Sequence, residues 1–167
     1  MIETEANNER KYVLISKNGY TKSITLKDEI LYALKNRKSN NKIILSIVNA
    51  ENARKIERLT GLKVEGRNQV LYDNDIRHIL LTHQNEKKEI MKHQIPVLND
   101  DIANIPNIIN NPDNIILGTL NREGQTIRYI KRYDEYDTYV VEVIPKKSDL
   151  KIKTMWKVST LANSNNS

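Results

Sequence analysis

The chain contains no cysteine, which removes disulfides, thiolate zinc sites and cysteine nucleophiles together. Any chemistry therefore falls to histidine, lysine, arginine, carboxylates or hydroxyls. No apolar run approaches the ~20 residues that span a bilayer. The opening residues Met1-Ile2-Glu3-Thr4-Glu5 are acidic and polar, unlike a secretion signal. The expectation is a cytosolic protein with no membrane partner. Internal repeats and low-complexity blocks are absent from the 167 residues, so one domain is the default. An acidic cluster suited to a metal is also missing: Asp73, Asp75, Asp100 and Asp101 all stand where a helix begins, and their charges suit the positive end of a helix dipole. No metal and no cofactor is expected.

What is present is positive charge. Lysine and arginine number 27 against 21 acidic residues, a net +6 with a pI near 9.4, which favours a polyanionic partner without proving one. The excess persists at the C-terminal end. From Ile115 onward there are nine basic residues (Arg122, Arg128, Lys131, Arg132, Lys146, Lys147, Lys151, Lys153, Lys157) and six acidic ones (Glu123, Asp134, Glu135, Asp137, Glu142, Asp149), a net of +3.

Residues 1–10 are polar and expected to fray. Residues 12–15 read as a strand, Lys17-Asn18-Gly19-Tyr20 carries an Asn-Gly turn signal, and 21–25 pair back. Thr25 caps a helix over 26–38 that Asn40 and Asn41 end. The β-branched run 43–48 reads as a strand buried on both faces. Asn49 caps a helix over 50–59, closed by Gly61 in a left-handed conformation, and 62–71 is a strand or loop feeding the next helix. Asn99 is the expected cap of a helix whose continuation Pro106 divides in two. The pattern from 115 then changes to four strands, 115–120, 126–133, 138–144 and 150–158, joined by turns at Glu123-Gly124, Asp134-Glu135 and 145–149. The fold class is α+β: an N-terminal strand–helix–strand and further helices packed on one face of a C-terminal four-stranded antiparallel sheet.

All three histidines lie in the middle of the chain. Asp73 or Asn74 caps a helix in which Ile76, Ile79, Leu80 and His83 fall at i, i+3, i+4 and i+7, so His83 faces inward while His78 and Thr82 lie on the other side. An inward imidazole is either a satisfied core histidine or a catalytic group, and the pattern alone leaves both readings open. His93 follows the charged connector Glu86-Lys87-Lys88-Glu89 and is expected to be exposed. In the last strand Leu150, Ile152, Thr154, Trp156 and Val158 alternate with Lys151, Lys153, Met155 and Lys157. Strict alternation puts Ile152 and Trp156 in the core and the lysines on the other face. That face is either a solvated edge-blunting surface or a phosphate groove, with Tyr129, Tyr133, Tyr136 or Tyr139 packing across strands or stacking on unpaired bases.

The run Asp75-Ile76-Arg77-His78-Ile79 with Thr82-His83, then Gln94-Ile95-Pro96-Val97, Asp100-Asp101-Ile102 to Ile105-Pro106, Asn111-Pro112-Asp113, and Lys153-Thr154-Met155-Trp156-Lys157 resembles a phage-associated nuclease domain. It is similar to the third phage group of the barnase, EndoU, colicin and RelE-like ribonucleases. The resemblance covers roughly 47–158; Gln84 stands where a glycine is expected after the second histidine. The implied organisation is an extension over 1–46 packed on a nuclease-like domain over 47–158, with a disordered tail over 159–167. The implied activity is metal-independent cleavage of RNA to a 2′,3′-cyclic phosphate in the host bacterial cytosol. That places His83, His78 and Thr154 in catalysis, and Arg77, Arg128, Lys151, Lys153 and Lys157 on RNA. A cognate inhibitor or another phage or mobile-element protein is the further partner to expect. Two non-catalytic readings stand beside it: an RNA-binding module using the basic sheet face, and a protein-interaction module.

Overall fold

A computed structural model describes residues 10–83, 85 and 94–160. The expectations for His93, Gln84, the 86–89 connector and both chain ends fall outside those residues. The Asn-Gly turn joins β1 (Lys11–Ile15) to β2 (Thr21–Thr25) in an antiparallel hairpin, with Gly19 at φ 86°. Helix α1 (Leu26–Lys35) follows directly, its Asp28 amide donating to Thr25 Oγ1 at 3.2 Å. Strand β3 (Lys42–Ile47) pairs with β1. It is not buried on both faces as its apolar run suggested: Ile43 and Leu45 are buried, but Ile44 on the opposite face is only half-buried, and a bulge at Leu45 turns Ile47 to that face, where it is 57% exposed. Helix α2 (Ala50–Thr60) is bounded as its residues dictate, by the Asn49 side chain at one end and Gly61 at φ 76° at the other.

Asn40 and Asn41 do not end α1, which stops at Lys35. They bind the start of α3 (Asp73–His83), which follows β4 (Asn68–Tyr72) without a gap. Asn40 Oδ1 accepts from the Asn74 amide at 3.2 Å, and Asp73 Oδ2 turns away from its own helix to accept from the Asn41 amide at 2.9 Å. The cap of α3 is thus tertiary. Asn99 likewise lies inside α4 (Asn99–Ala103), and the capping bond runs from the Leu98 amide to Asp101 Oδ2 at 2.7 Å. Pro106 opens a separate helix, α5 (Ile105–Asn110), where its missing N–H costs nothing.

One sheet runs through the molecule. Among the described residues its order is β2-β1-β3-β4, then β9 (Leu150–Ser159), β8 (Tyr136–Ile144), β7 (Gly124–Arg132) and β6 (Asn114–Asn121), with β5 (Gln94–Ile95) joined to β9 beside β4, nine strands where four were expected. The expected meander is its C-terminal part, β6 to β9. β9 meets the N-terminal strands through a parallel pairing with β4, at Gln69↔Leu150 and Val70↔Lys151. Further along, the same edge of β9 pairs with β5, at Ile95↔Lys157 and Gln94↔Val158. Helix α3 also packs against β9.

The core cluster lies on the helical face, where Leu14, Ile43, Leu71, Ile127, Tyr129, Val140, Leu150, Ile152 and Met155 meet Ile30, Ile76, Ile79, Ile102 and Ile108 from the helices. Val70, Ile130 and Val143 are buried yet stand outside that cluster. Their register places them on the second face with Lys151 and Tyr139. On the core face Glu142 is fully buried, accepting from Tyr129 Oη at 2.6 Å and from Gln69 Nε2 at 3.2 Å.

Candidate active site

The alternation expected along β9 holds only as far as Lys153. Val141 pairs with Thr154 but the next residue, Glu142, pairs with Ile152, so Lys153 is an extra residue in a bulge. A bulge reverses the parity of everything after it. Met155 and Lys157 therefore turn into the core side, at 0% and 6% exposure, while Trp156 moves out of the core to the second face. This corrects the sequence expectation for Thr154 and Trp156, both placed on the core face by strict alternation; Ile152, which precedes the bulge, is fully buried as its position required.

On that second face Trp156 lies parallel to its cross-strand neighbour Tyr139, with ring centroids 5.3 Å apart and planes within 7°. The Arg128 guanidinium sits over the same indole at 5.3 Å. His83, in the last turn of α3, brings its ring to 6.3 Å from Trp156. His83 is half-buried and His78 exposed, consistent with one at the edge of the apolar stripe and the other beyond it. Two residues before Trp156 on the same face stands Thr154, whose Oγ1 is buried and has no partner among the described residues. A hydroxyl in that state is a donor available to an incoming oxygen.

One turn before His78, Asp75 completes the flank of α3 that faces β9. Its Oδ1 lies 4.0 Å from Lys153 Nζ, and Lys153 also pairs with Glu123 of the β6–β7 turn at 3.1 Å. Burial pushes the Asp75 carboxyl up to about 6, and Glu123 adds to the rise; Lys153, His78 and Lys151 pull the other way without cancelling it. Asp75 thus titrates where an acid–base group is useful near neutral pH. Its sequence position explains it only as a helix-start residue. The signal that it is more is its spacing from His78 together with the approach of Lys153, which only the fold supplies.

The remaining sequence-picked residues divide. Lys151 lies on the second face with its Nζ 5.8 Å from the Tyr72 ring. Arg77 is not turned to that face: its guanidinium donates to Ala33 O and Asn36 O, both at 3.0 Å, and to Asn74 Oδ1 at 2.8 Å, with further bonds to Ser39 O and Ser39 Oγ, which anchors the end of α1 to α3. Lys157 is buried against Asp101, at 2.9 Å, and the Tyr136 ring. Both cations are engaged inside the protein. Of the four tyrosines picked from the sequence, Tyr129 is core, Tyr133 and Tyr136 stack on each other at 5.0 Å, and Tyr139 joins the Trp156 face. No group of three or more His, Asp or Glu side chains among the described residues is disposed to hold a metal ion.

A family model described as phage-Barnase-EndoU-ColicinE5/D-RelE like nuclease3 matches residues 46–165. The chain belongs to this nuclease family. The matched span contains α3, β9 and every residue of the His83–Thr154–Asp75 constellation, and the mixed helix-and-sheet architecture agrees with a barnase/RelE-like nuclease. No curated protein and no solved structure gives a significant match. In this phage-type nuclease domain no helix among the described residues is long and apolar enough to cross a membrane.

Proposed function

We propose that this nuclease domain is a metal-independent endoribonuclease acting on single-stranded RNA. The observation that carries the reading is the meeting of α3 with β9, which brings Asp75 to Lys153 and His83 to Trp156, with Thr154 between them on the strand and His78 one turn along the helix from Asp75. Cleavage of this kind needs a base for the 2′-hydroxyl proton, an acid for the departing 5′-oxygen and cationic donors for the phosphorane-like transition state. His83, His78 and Asp75 supply the proton-transfer groups. The 2′-oxygen, once deprotonated, attacks phosphorus; the P–O5′ bond breaks as the acid gives O5′ a proton, leaving a 2′,3′-cyclic phosphate and a 5′-hydroxyl. Thr154 Oγ1 donates to a non-bridging oxygen, and Lys153, Lys151 and Arg128 offset its charge. The Trp156–Tyr139 stack offers an aromatic surface to the bases flanking the scissile phosphate.

The test is incubation of the purified domain with single-stranded RNA in excess EDTA between pH 5 and 8, with analysis of the fragment ends. Fragments ending in 2′,3′-cyclic phosphate are the expected result; RNA left intact across that range overturns the proposal. The second reading, an RNA-binding module without cleavage, has the Arg128–Trp156–Tyr139 stack in its favour and predicts salt-sensitive retention of intact RNA.

A further inference from the structure

The loops at the start of β9 enclose a cleft that the cleavage chemistry does not use. It has a volume of about 410 Å³ and is lined by Lys63, Arg67, Asn68, Lys146, Lys147 and Ser148, among others. The cations there are not equivalent. Arg67 is structural, donating from Nε to Ser148 O at 2.7 Å and from Nη2 to Pro145 O at 2.9 Å, and so it fixes the loop that carries Lys146 and Lys147. Within that loop Ser148 has a φ of 99°, a conformation that non-glycine residues adopt at a cost and that persists only where the surroundings hold it. Lys63, Lys146 and Lys147 are exposed and make no ion pair among the described residues. Asp149, the carboxylate lining the cleft, is neutralised by Lys42 at 2.9 Å. Three lysines without an ion pair among the described residues thus line a cleft whose loop is braced.

We infer that this cleft is a second phosphate subsite, holding the backbone of the same nucleic-acid strand at a distance from the scissile phosphate. The inference rests on the nuclease reading above and adds a direction to it. From Ser148 to Thr154 the chain advances six residues, at most roughly 20 Å at ~3.3 Å per residue, and Lys151 and Lys153 fall between. A strand laid along β9 meets the cleft several nucleotides from the cut. The protein should therefore discriminate by length: a short substrate occupies the histidine site alone, and a long one gains the cleft as well.

The experiment compares the wild-type chain with a Lys63→Ala, Lys146→Ala, Lys147→Ala triple variant on a dinucleoside phosphate and on a twelve-nucleotide single-stranded RNA. The expected result is a KM on the longer RNA raised about tenfold at low salt, with a salt slope shallower by about 0.7 for each phosphate that the variant leaves unneutralised. kcat on both substrates, and kcat/KM on the dinucleoside phosphate, should be unchanged. Equal KM and equal salt slope for both proteins on the long RNA overturn the subsite. A fall in kcat/KM of the same factor on both substrates also overturns it, since a general field effect ignores length. Wild-type protein that binds the long RNA without cutting it defeats the nuclease reading instead. The subsite is then judged on affinity, where an undiminished binding constant in the variant overturns it.

Discussion

At the scale of single residues, the proposed site turns on Asp75, whose surroundings set its chemistry. Asp75 is raised to about 6 chiefly by burial, with Lys153, Lys151, His78 and Glu123 as the charges around it. The fold therefore tolerates its neutral form, so Asp75→Asn should leave thermal stability at pH 7 unchanged or slightly higher while losing about 10² to 10⁴ in cleavage rate. If Asp75 acts as the ionised base, wild-type activity falls as pH drops through about 6. That acid limb should disappear from the residual activity of the variant. His83→Ala should lose a similar factor and keep most of its RNA affinity. A pH–rate profile for each variant, with circular dichroism to check the fold, decides the matter; an Asp75→Asn enzyme of full activity removes Asp75 from the mechanism. Sequence pattern placed His83 at the edge of the apolar stripe of α3, where the fold has it, but put Thr154 on the core face, from which the bulge at Lys153 turns it away. It could not find Asp75, since a carboxylate in a first turn already has a sufficient local explanation in the helix dipole.

At the scale of elements, local grammar was readable and exceptions to it were not. Turn and cap residues placed β1, β2, α1, α2 and the four C-terminal strands, because Asn18-Gly19, Gly61 and Glu123-Gly124 act through their own backbone and Thr25 and Asn49 through side chains that reach an amide only three residues on. The bulge at Lys153 and the two-residue β5 were illegible, for both are fixed by partners distant in sequence. The same holds for the start of α3, where Asn41 and Asn40 bind residues 32 and 34 positions further along. Arg77 and Lys157 show the converse error, since a cation's sequence neighbours do not reveal that carbonyls or a buried carboxylate already occupy it. The β6–β7 hairpin permits a direct test. Gly124 has a φ of 145°, and a Cβ there would lie 2.2 Å from Ile144 O. Gly124→Ala should destabilise the protein by at least ~1 to 3 kcal/mol through backbone strain and displacement of β8. It should also weaken RNA cleavage, because Glu123 beside it holds Lys153. Unfolding in urea gives the first number, and a variant as stable as wild type means the turn relaxes without cost.

At the scale of the whole molecule, the helix-bearing face of the sheet carries buried acidic groups that tie distant segments together, Glu142 and the Glu29–Asp73 pair. Glu142 joins β8 to β7 and β4 through Tyr129 and Gln69, and burial pushes it up to about 7 despite those donors and the field of Arg67. Glu29 of α1 lies 2% exposed beside Asp73 of α3, with Asn41 Nδ2 donating to it at 3.1 Å. Burial and the adjacent Asp73 carboxylate raise Glu29 well above the ordinary range. A proton on Glu29 is shared with the adjacent Asp73 carboxylate, whose Oδ1 has no donor among the described residues. The sign of the pH dependence follows. Both folded-state values lie above the unfolded ones, so the native protein binds more protons than the unfolded chain from about pH 4.5 upward. Their contribution is complete below that pH and is lost as pH rises through 7 and beyond, by roughly 3 kcal/mol for a group moved as far as Glu142. Wild-type Tm should therefore decline between pH 5 and 8, against the trend of most proteins, whose surface carboxylates favour the upper half of that range. Glu142→Gln keeps the shape and removes the titration, so its Tm should decline less steeply and should equal or exceed the wild-type value at pH 8. A wild-type Tm that climbs from pH 6 to 8, or a variant whose slope matches the wild type, would show that Glu142 is ionised in the folded protein at neutral pH and that Tyr129 and Gln69 suffice to solvate its charge.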